Sequence, residues 1–397
     1  GNSLTYDGSK PSDRKAPDGH FMFSPDVQNI QIYRSNNKPS QLFDGLGYTF
    51  AHHVGLGCWK GLLYAVWDAN LKGEDILPTR LLYATSADGF HWSEPKDFFP
   101  PGKGWNLRFY FYHASNDTML AFAAAPRSPA AKTISESDKA TVYVREITVG
   151  HQLGPIWTLL KPRLWDPPSF ENCKDTDFVA ACREAINNRP LLEQQDYGQL
   201  LGDRRMKWHD ATNWPGGKIG GISQHWTFGK AMCFFHRRDG TLVSLSKLGF
   251  VTLSSDGGNT WSFPVIPKRL KVGTGKIWGQ RTADGRYALA YNPWSGNGPR
   301  FPLVITTSDD GIHFHDMRVI HGEVPPQRYQ GSGKTVGAHY VRGITEWGGD
   351  APTIAKFEKD MSAMWVIYSV NEEDIWIGRI AVPVMPDTPK SISDTFD

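Results

Sequence analysis

Ser254 to Trp261 reads S-S-D-G-G-N-T-W, and this octapeptide sets the expected fold. It places Ser254, Asp256, Gly258, Thr260 and Trp261 in the pattern S-x-D-x-G-x-T-W. The short side chains of Ser254 and Asp256 can bond backbone amides of a tight turn, and Gly257 and Gly258 take φ > 0 without steric cost. Trp261 begins the next strand and packs back against the sheet. The segment is read as a rigid turn between antiparallel strands.

The turn recurs. Thr307 to Phe314 reads T-S-D-D-G-I-H-F, with Thr307, Asp309, Gly311, His313 and Phe314 in register. Thr85 to Trp92 reads T-S-A-D-G-F-H-W. It keeps Thr85, Gly89, His91 and Trp92, with Ala87 where the Asp is expected. Three copies, each after a β-rich run, signal a repeated four-stranded unit. Here the chain resembles the Asp-box β-propeller families, which include sialidases. The resemblance implies an all-β fold of four-stranded antiparallel blades, with Asp-box turns joining third and fourth strands. The active face is then the opposite one, built from the starts of the inner strands and the loops between second and third strands. His91 and His313 occupy equivalent box positions and are read as structural.

The last two boxes begin 53 residues apart, at Ser254 and Thr307, in a chain of 397. That ratio, less insertions, gives a seven-bladed β-propeller, with six blades as the alternative. A single domain covers 1–397, with an irregular insertion at about 166–205. The closing blade is expected to mix N-terminal and C-terminal strands, which removes open sheet edges.

Composition excludes some function classes. The net charge of +2 gives no bulk attraction to nucleic acid, and no apolar run reaches membrane-spanning length. Aromatic residues make up 13% of the chain, with 15 Trp and 14 Tyr, which suits both propeller packing and sugar-stacking surfaces. Cys173 and Cys182 accompany a helical-looking stretch, Asp175 to Asn187, and are read as a candidate local disulfide. Cys58 and Cys233 lie in apolar runs and are read as buried thiols. Asn116-Asp117-Thr118 is an N-glycosylation sequon. Gly1-Asn2-Ser3 reads as the start of a processed chain. Together these features point to a secreted, monomeric glycoprotein.

Sorting residues by face collects His52, His53, Arg108, Tyr110, Arg127, Gln280, Asn292, Arg300, His339, Tyr340, Arg342 and Asn371 on the active side. Converging arginines call for an anion, and Arg binds carboxylate bidentately. The expected partner is an acidic polysaccharide or oligosaccharide. The sialidase F-R-I-P signature is absent; the nearest string is Arg300-Phe301-Pro302.

A second resemblance rests on Ala51-His52-His53 before W-K-G-L-L-Y-A-V-W, on Gly279 to Leu289, on Arg300 to Val304 and on Tyr368 to Trp376. These strings look similar to propeller polysaccharide lyases of the ulvan-lyase and rhamnose-α-1,4-glucuronate lyase type. The resemblance implies β-elimination at a glucuronate, with exo action on a terminal rhamnose–glucuronate unit as one form. Elimination needs a group to neutralise the carboxylate, a base for the C5 proton and an acid for the leaving oxygen. On this reading His53 or His52 is the base and Tyr340 or Tyr110 the acid. Arg342, Arg300 and Arg127 clamp the carboxylate, and Arg108, Gln280, Asn292, His339 and Asn371 bind substrate. The alternatives are a rhamnosidase- or sialidase-like glycoside hydrolase using carboxylates among Glu74, Asp75 and Glu373, and a non-catalytic glycan-binding propeller with Trp278 and Trp294 as platforms. No cofactor is required. A central Ca²⁺ stays open, although no loop shows dedicated ligand spacing.

Overall fold

The computed structural model describes residues 5–6, 15–38, 46–74, 76–100, 111–125, 141–160, 164, 166–188, 190, 233–262, 264–267, 270–293, 298–345 and 362–384. Two N-terminal strands come first, β1 (Thr5–Tyr6) and β2 (Gln28–Arg34). Blade I holds β3 (Phe50–Trp59), β4 (Leu62–Asn70), β5 (Thr79–Ser86) and β6 (Lys96–Asp97). Blade II holds β7 (Phe111–His113), β8 (Met119–Ala125), β9 (Thr141–Ile147) and β10 (Trp157–Leu160). Blade III holds β11 (Cys233–His236), β12 (Leu242–Leu245) and β13 (Val251–Ser254). Blade IV holds β14 (Trp278–Arg281), β15 (Tyr287–Tyr291), β16 (Leu303–Ser308) and β17 (His313–His321), with β1 added in parallel to β17. Blade V holds β18 (Ala338–Gly343), β19 (Ala363–Val370) and β20 (Asp374–Ala381), and β2 completes its outer edge.

Among the described residues the sheets therefore make a five-bladed β-propeller, not the seven- or six-bladed one expected. Inner strands β3, β7, β11, β14 and β18 begin at Phe50, Phe111, Cys233, Trp278 and Ala338. The interval from β7 to β11 is about twice any other, so a spacing taken from two boxes overcounts the repeats. The expected closure holds: N-terminal β2 pairs with C-terminal β20, and β18 lies against β3 to shut the ring.

Blades stack face to face, so their middle strands are buried on both sides and read as continuous apolar runs. Strand β19, A-M-W-V-I-Y-S-V, is buried at every position. Trp67 and Leu82 of blade I pack with Ile367 and Ile377 of blade V, and Phe98 with Phe111 and Phe122 at the seam of blades I and II. A helix, α1 (Thr176–Asn187), docks Phe178, Ala181, Cys182 and Ala185 on the same core. Asp175 caps it by accepting from the N–H groups of Asp177 and Phe178. The helical stretch at 175–187 is thus as expected, but the disulfide is not: all four cysteines are free, Cys58, Cys182 and Cys233 being buried.

The box turns of blades I and IV join third and fourth strands as expected, and that of blade III follows its third strand; one correction of register is needed. At Ser254 the serine Oγ accepts from Gly258 N–H, Asp256 accepts from Thr260 N–H, and Trp261 Nε1 donates to the Gly258 carbonyl. In the other two turns the working residues are Ser86 with Asp88 and Ser308 with Asp310. Gly89 and Gly311 N–H groups bond the serines, and His91 and His313 bond the aspartates. These two turns are one residue shorter than the first, so Ala87 breaks no pattern. Asp309 pairs instead with Arg286.

Ser308 is buried, and its removal leaves the Gly311 N–H without an acceptor, at a cost of about 1–3 kcal/mol. Asp309→Ala removes only a surface ion pair worth under ~1 kcal/mol. In urea unfolding, Ser308→Ala is therefore expected to lower the midpoint clearly more than Asp309→Ala. The reverse order would restore the register first read from sequence.

Candidate active site

Two inner strands break their ladders at the same place. In β3 the register runs His52 to Asp68 and then Gly55 to Val66; in β18 it runs His339 to Ser369 and then Arg342 to Ile367. Each strand therefore carries one extra residue, a β-bulge. Each bulge holds a bulky residue in the left-handed region, His53 at φ 41° and Tyr340 at φ 58°, which costs of order 1–3 kcal/mol apiece. Bulges abolish the strict alternation of side chains, so neighbouring residues point the same way. His52 and His53 lie 4.7 Å apart, His339 and Tyr340 5.3 Å. The His52 ring lies 4.1 Å from Tyr340 and 5.0 Å from His339. Blades I and V thus contribute a single cluster of rings.

Charge sorts these rings. His53 Nδ1 lies 2.9 Å from Asp68 and its Nε2 lies 3.4 Å from Glu74. Burial disfavours the His53 cation, but Asp68 and then Glu74 outweigh it and push the imidazole up to about 10. His52 and His339 are held well below the ordinary range by burial and by neighbouring cationic groups. Burial also raises Glu372, to about 8, against the opposing charge of Arg300. Glu372 accepts from Thr335 N–H and lies 3.6 Å from Arg300 Nη1. Tyr340 is ringed by cations: Lys247 Nζ bonds its hydroxyl, with Lys247, Lys276 and Arg300 at 4.7, 4.9 and 5.0 Å from the ring centre. Burial works to raise this phenol, yet Lys247 and Arg300 bring it below its ordinary value.

The structure brings His52, His53, His339, Tyr340 and Arg300 together. Gln280 and Arg342 sit by Trp278: Gln280 Oε1 accepts from the indole N–H, and the Arg342 guanidinium lies 5.9 Å over the ring. Asn292 and Asn371 brace backbone. Asn292 donates to the carbonyls of Arg300, Pro302 and Ala338, and Asn371 bonds Gly337 N–H and the Pro325 carbonyl. Of the three carboxylates named for hydrolysis, Glu74 is at the cluster, while Glu373 is engaged by Arg328 and Lys334. Arg108, Tyr110, Arg127, Asp75 and Trp294 lie outside the described residues. Lys247, Lys276, Asp68 and Glu372 were not singled out from sequence. One signal was available: Ala51-His52-His53-Val54 and Ala338-His339-Tyr340-Val341 are the same bulge written twice.

His52 Nε2 and His339 Nε2 each lie 3.5 Å from Glu372 Oε1, a spacing and donor set that suit Zn²⁺ better than the all-oxygen preference of Ca²⁺. The surroundings oppose a metal there. Arg300 Nη1 lies 3.3 Å from His339 Nδ1, and a guanidinium only donates. Neutral His339 therefore carries its proton on Nε2, facing the Thr335 carbonyl, and has no lone pair for an ion.

The comparisons agree on the fold. A family model described as "Beta-prop_BT_1020:-like, N-terminal beta propeller" matches residues 2–106. No curated protein matches the chain in sequence. A solved structure described as "Sialidase" is 29% identical, with a TM-score of 0.80 over 96% of this chain and 35% of that one. The present chain thus spans about a third of that protein. A protein of unknown function from Dyadobacter fermentans DSM 18053 is 13% identical, with a TM-score of 0.52 over 90% of this chain and all of that one. A mutant of Trypanosoma rangeli sialidase displaying trans-sialidase activity is 10% identical, with a TM-score of 0.52 over 90% of this chain and 59% of that one. The fold is that of a sialidase-like Asp-box β-propeller.

The raised groups fix a sign for stability. Folded Glu372 keeps its proton from its ordinary 4.5 up to about 8, and folded His53 from 6.5 up to about 10. The folded state binds more protons across both windows, so stability falls as pH rises through them. Below pH 6.5 the depressed His52 and His339 act in the opposite sense, so the falling thermal midpoint is expected from pH 7 to 9, with a shallower slope below pH 8 in Glu372→Gln. An identical slope in the variant would remove Glu372 from this account.

Proposed function

We propose that this propeller is a glycoside hydrolase that releases a carboxylated sugar from an acidic glycan, with Tyr340 as nucleophile. The observation that carries this reading is the setting of Tyr340: a strained bulge position with three cations about its ring and Lys247 on its hydroxyl. Such a cradle favours a phenolate and also attracts the substrate carboxylate. The sialidase-like fold supports the same chemistry, since sialidases depart from the two-carboxylate scheme by using a tyrosine nucleophile. A neutral or phenolate oxygen beside lysine and arginine can approach an anomeric carbon that bears an anion more readily than a carboxylate can.

In this mechanism the Tyr340 oxygen bonds to the anomeric carbon as the glycosidic bond breaks. The leaving oxygen takes a proton from the His53–Glu74 pair, in which Glu74 is the more open member at 36% exposure. Water then attacks the tyrosyl-linked carbon, returns its proton to that pair and frees Tyr340. Asp68 holds the His53 ring in place from behind. Elimination at a uronate is a poorer fit: His53 would have to lose a proton that Asp68 and Glu74 hold, and His52 is fully buried. An extracellular setting belongs to this reading, and Asn116 of the sequon lies on an exposed turn.

Hydrolysis of 4-methylumbelliferyl glycosides of sialate and of glucuronate tests the proposal. Tyr340→Phe is expected to lower kcat/KM by about a thousandfold or more, and Arg300→Gln to raise KM. An active Tyr340→Phe enzyme, or unsaturated uronate products in place of free sugar, would overturn it.

A further inference from the structure

Among the described residues the Tyr340 hydroxyl has a hydrogen-bond partner, and it is a lysine, not a carboxylate base. Lys247 comes from across the ring. It sits in the turn between β12 and β13 of blade III and reaches Tyr340 on the inner strand of blade V.

That turn is built to hold it. Ser246 N–H donates to the Phe250 carbonyl, and Gly249 N–H to that of Ser246. Leu248 and Gly249 are both left-handed, at φ 64° and 77°. A leucine in that region is strained. Gly249 also packs close to Val272, where a Cβ would lie 3.3 Å from the Val272 side chain. A relaxed helical turn would carry Lys247 elsewhere.

Charged and titratable groups face Tyr340 from every element packed on it. Lys247 comes from the blade III turn, Lys276 from the approach to β14, and Arg300 from the approach to β16. His52 and His53 lie on β3, Glu74 on the loop after β4, His339 on β18, and Glu372 stands behind His52. Lys247 alone among the described cations is hydrogen-bonded to the phenolic oxygen.

We propose that Lys247 is the positioning residue that readies Tyr340 for attack: it holds the phenolate by charge and hydrogen bond, in place of a general base that would take the proton during the reaction. This rests on the glycosidase reading above. The proton leaves Tyr340 to solvent before the sugar binds, and the Lys247 Nζ donates to the phenolic oxygen throughout. No carboxylate is needed at the hydroxyl, and the Glu74–His53 pair serves only the leaving group and the water.

The test is a spectrophotometric tyrosinate titration of the whole chain, read as the difference between the wild-type protein and Tyr340→Phe. The other tyrosines, including Tyr33, Tyr64, Tyr83, Tyr112 and Tyr368 that burial pushes up, are common to both proteins, so the difference isolates the Tyr340 step, expected below the ordinary phenol range. Lys247→Met is expected to move that step up by about one pH unit or more, with Lys247→Arg restoring most of it. The rising limb of the kcat/KM profile should move with it. Lys247→Gln serves if the methionine variant does not fold. An unmoved step, or a uniform loss of rate with no shift of the limb, would overturn the role of Lys247 while leaving Tyr340 as nucleophile. An active Tyr340→Phe enzyme would instead overturn the glycosidase reading, and the role of Lys247 with it.

Discussion

A regular strand can turn only one of two consecutive side chains toward a propeller axis. The bulges at His53 and Tyr340 remove that limit in two adjoining inner strands, and the rest of the site depends on them. With an unbroken ladder, His52 and His53 would face opposite sides of blade I, and His339 and Tyr340 opposite sides of blade V. Asp68 would lose its imidazole and Lys247 its phenol. The strain of two bulky left-handed residues is held because the flanking strands are buried and fully paired. Strand β4 runs from Leu63 to Asn70 without an exposed side chain, and β19 has none at all.

The seam between blades I and V is also where the ring closes. Glu373 is gripped there by the backbone N–H groups of Arg328 and Tyr329 and by Lys334, whose Nζ also donates to the Thr49 carbonyl. Arg328 further bonds Asp374 and the Ser35 carbonyl. Buried charges of this kind persist only when each has partners. One network therefore ties the strand that completes blade V to the start of blade I and to the loop leading into β18. The clustered rings and cations sit directly beside it. Glu372 shares its turn with Glu373 but faces the other way, to Arg300 and the histidines, and this separation gives adjacent glutamates different tasks.

Much of the architecture was legible in the sequence because the box turns depend on local chemistry: a serine, an aspartate and a glycine within a few residues. The one-residue slip at Ser86 and Ser308 arose because both short turns carry a Thr and an extra small or acidic residue that mimic the longer spacing. Blade number was not legible, since the chain between β7 and β11 hides where repeats stop. At the site, Ala51-His52-His53 and the Tyr340 region were found because histidine, tyrosine and arginine are conspicuous near strand starts. Lys247, Lys276 and Glu372 were not, because their importance comes from contacts spanning the ring: Lys247 and Tyr340 are 93 positions apart. Gln280, Asn292 and Asn371 were read from sequence as active-face ligands, yet they serve backbone and indole partners, which residue type alone does not distinguish from ligand binding.

The pairing of β2 with β20 bears on how the molecule comes to life during synthesis. His53 belongs to the first blade made and Tyr340 to the last, so the two are kept apart until β18 to β20 have left the ribosome. A length of chain that stops short of β18 holds half of the ring cluster, His52 and His53, on an open edge, with His339 and the phenol still to come. The cluster is therefore incomplete in the nascent chain and assembles only when the first blade meets the last, so the site doubles as a report that the circle has been completed.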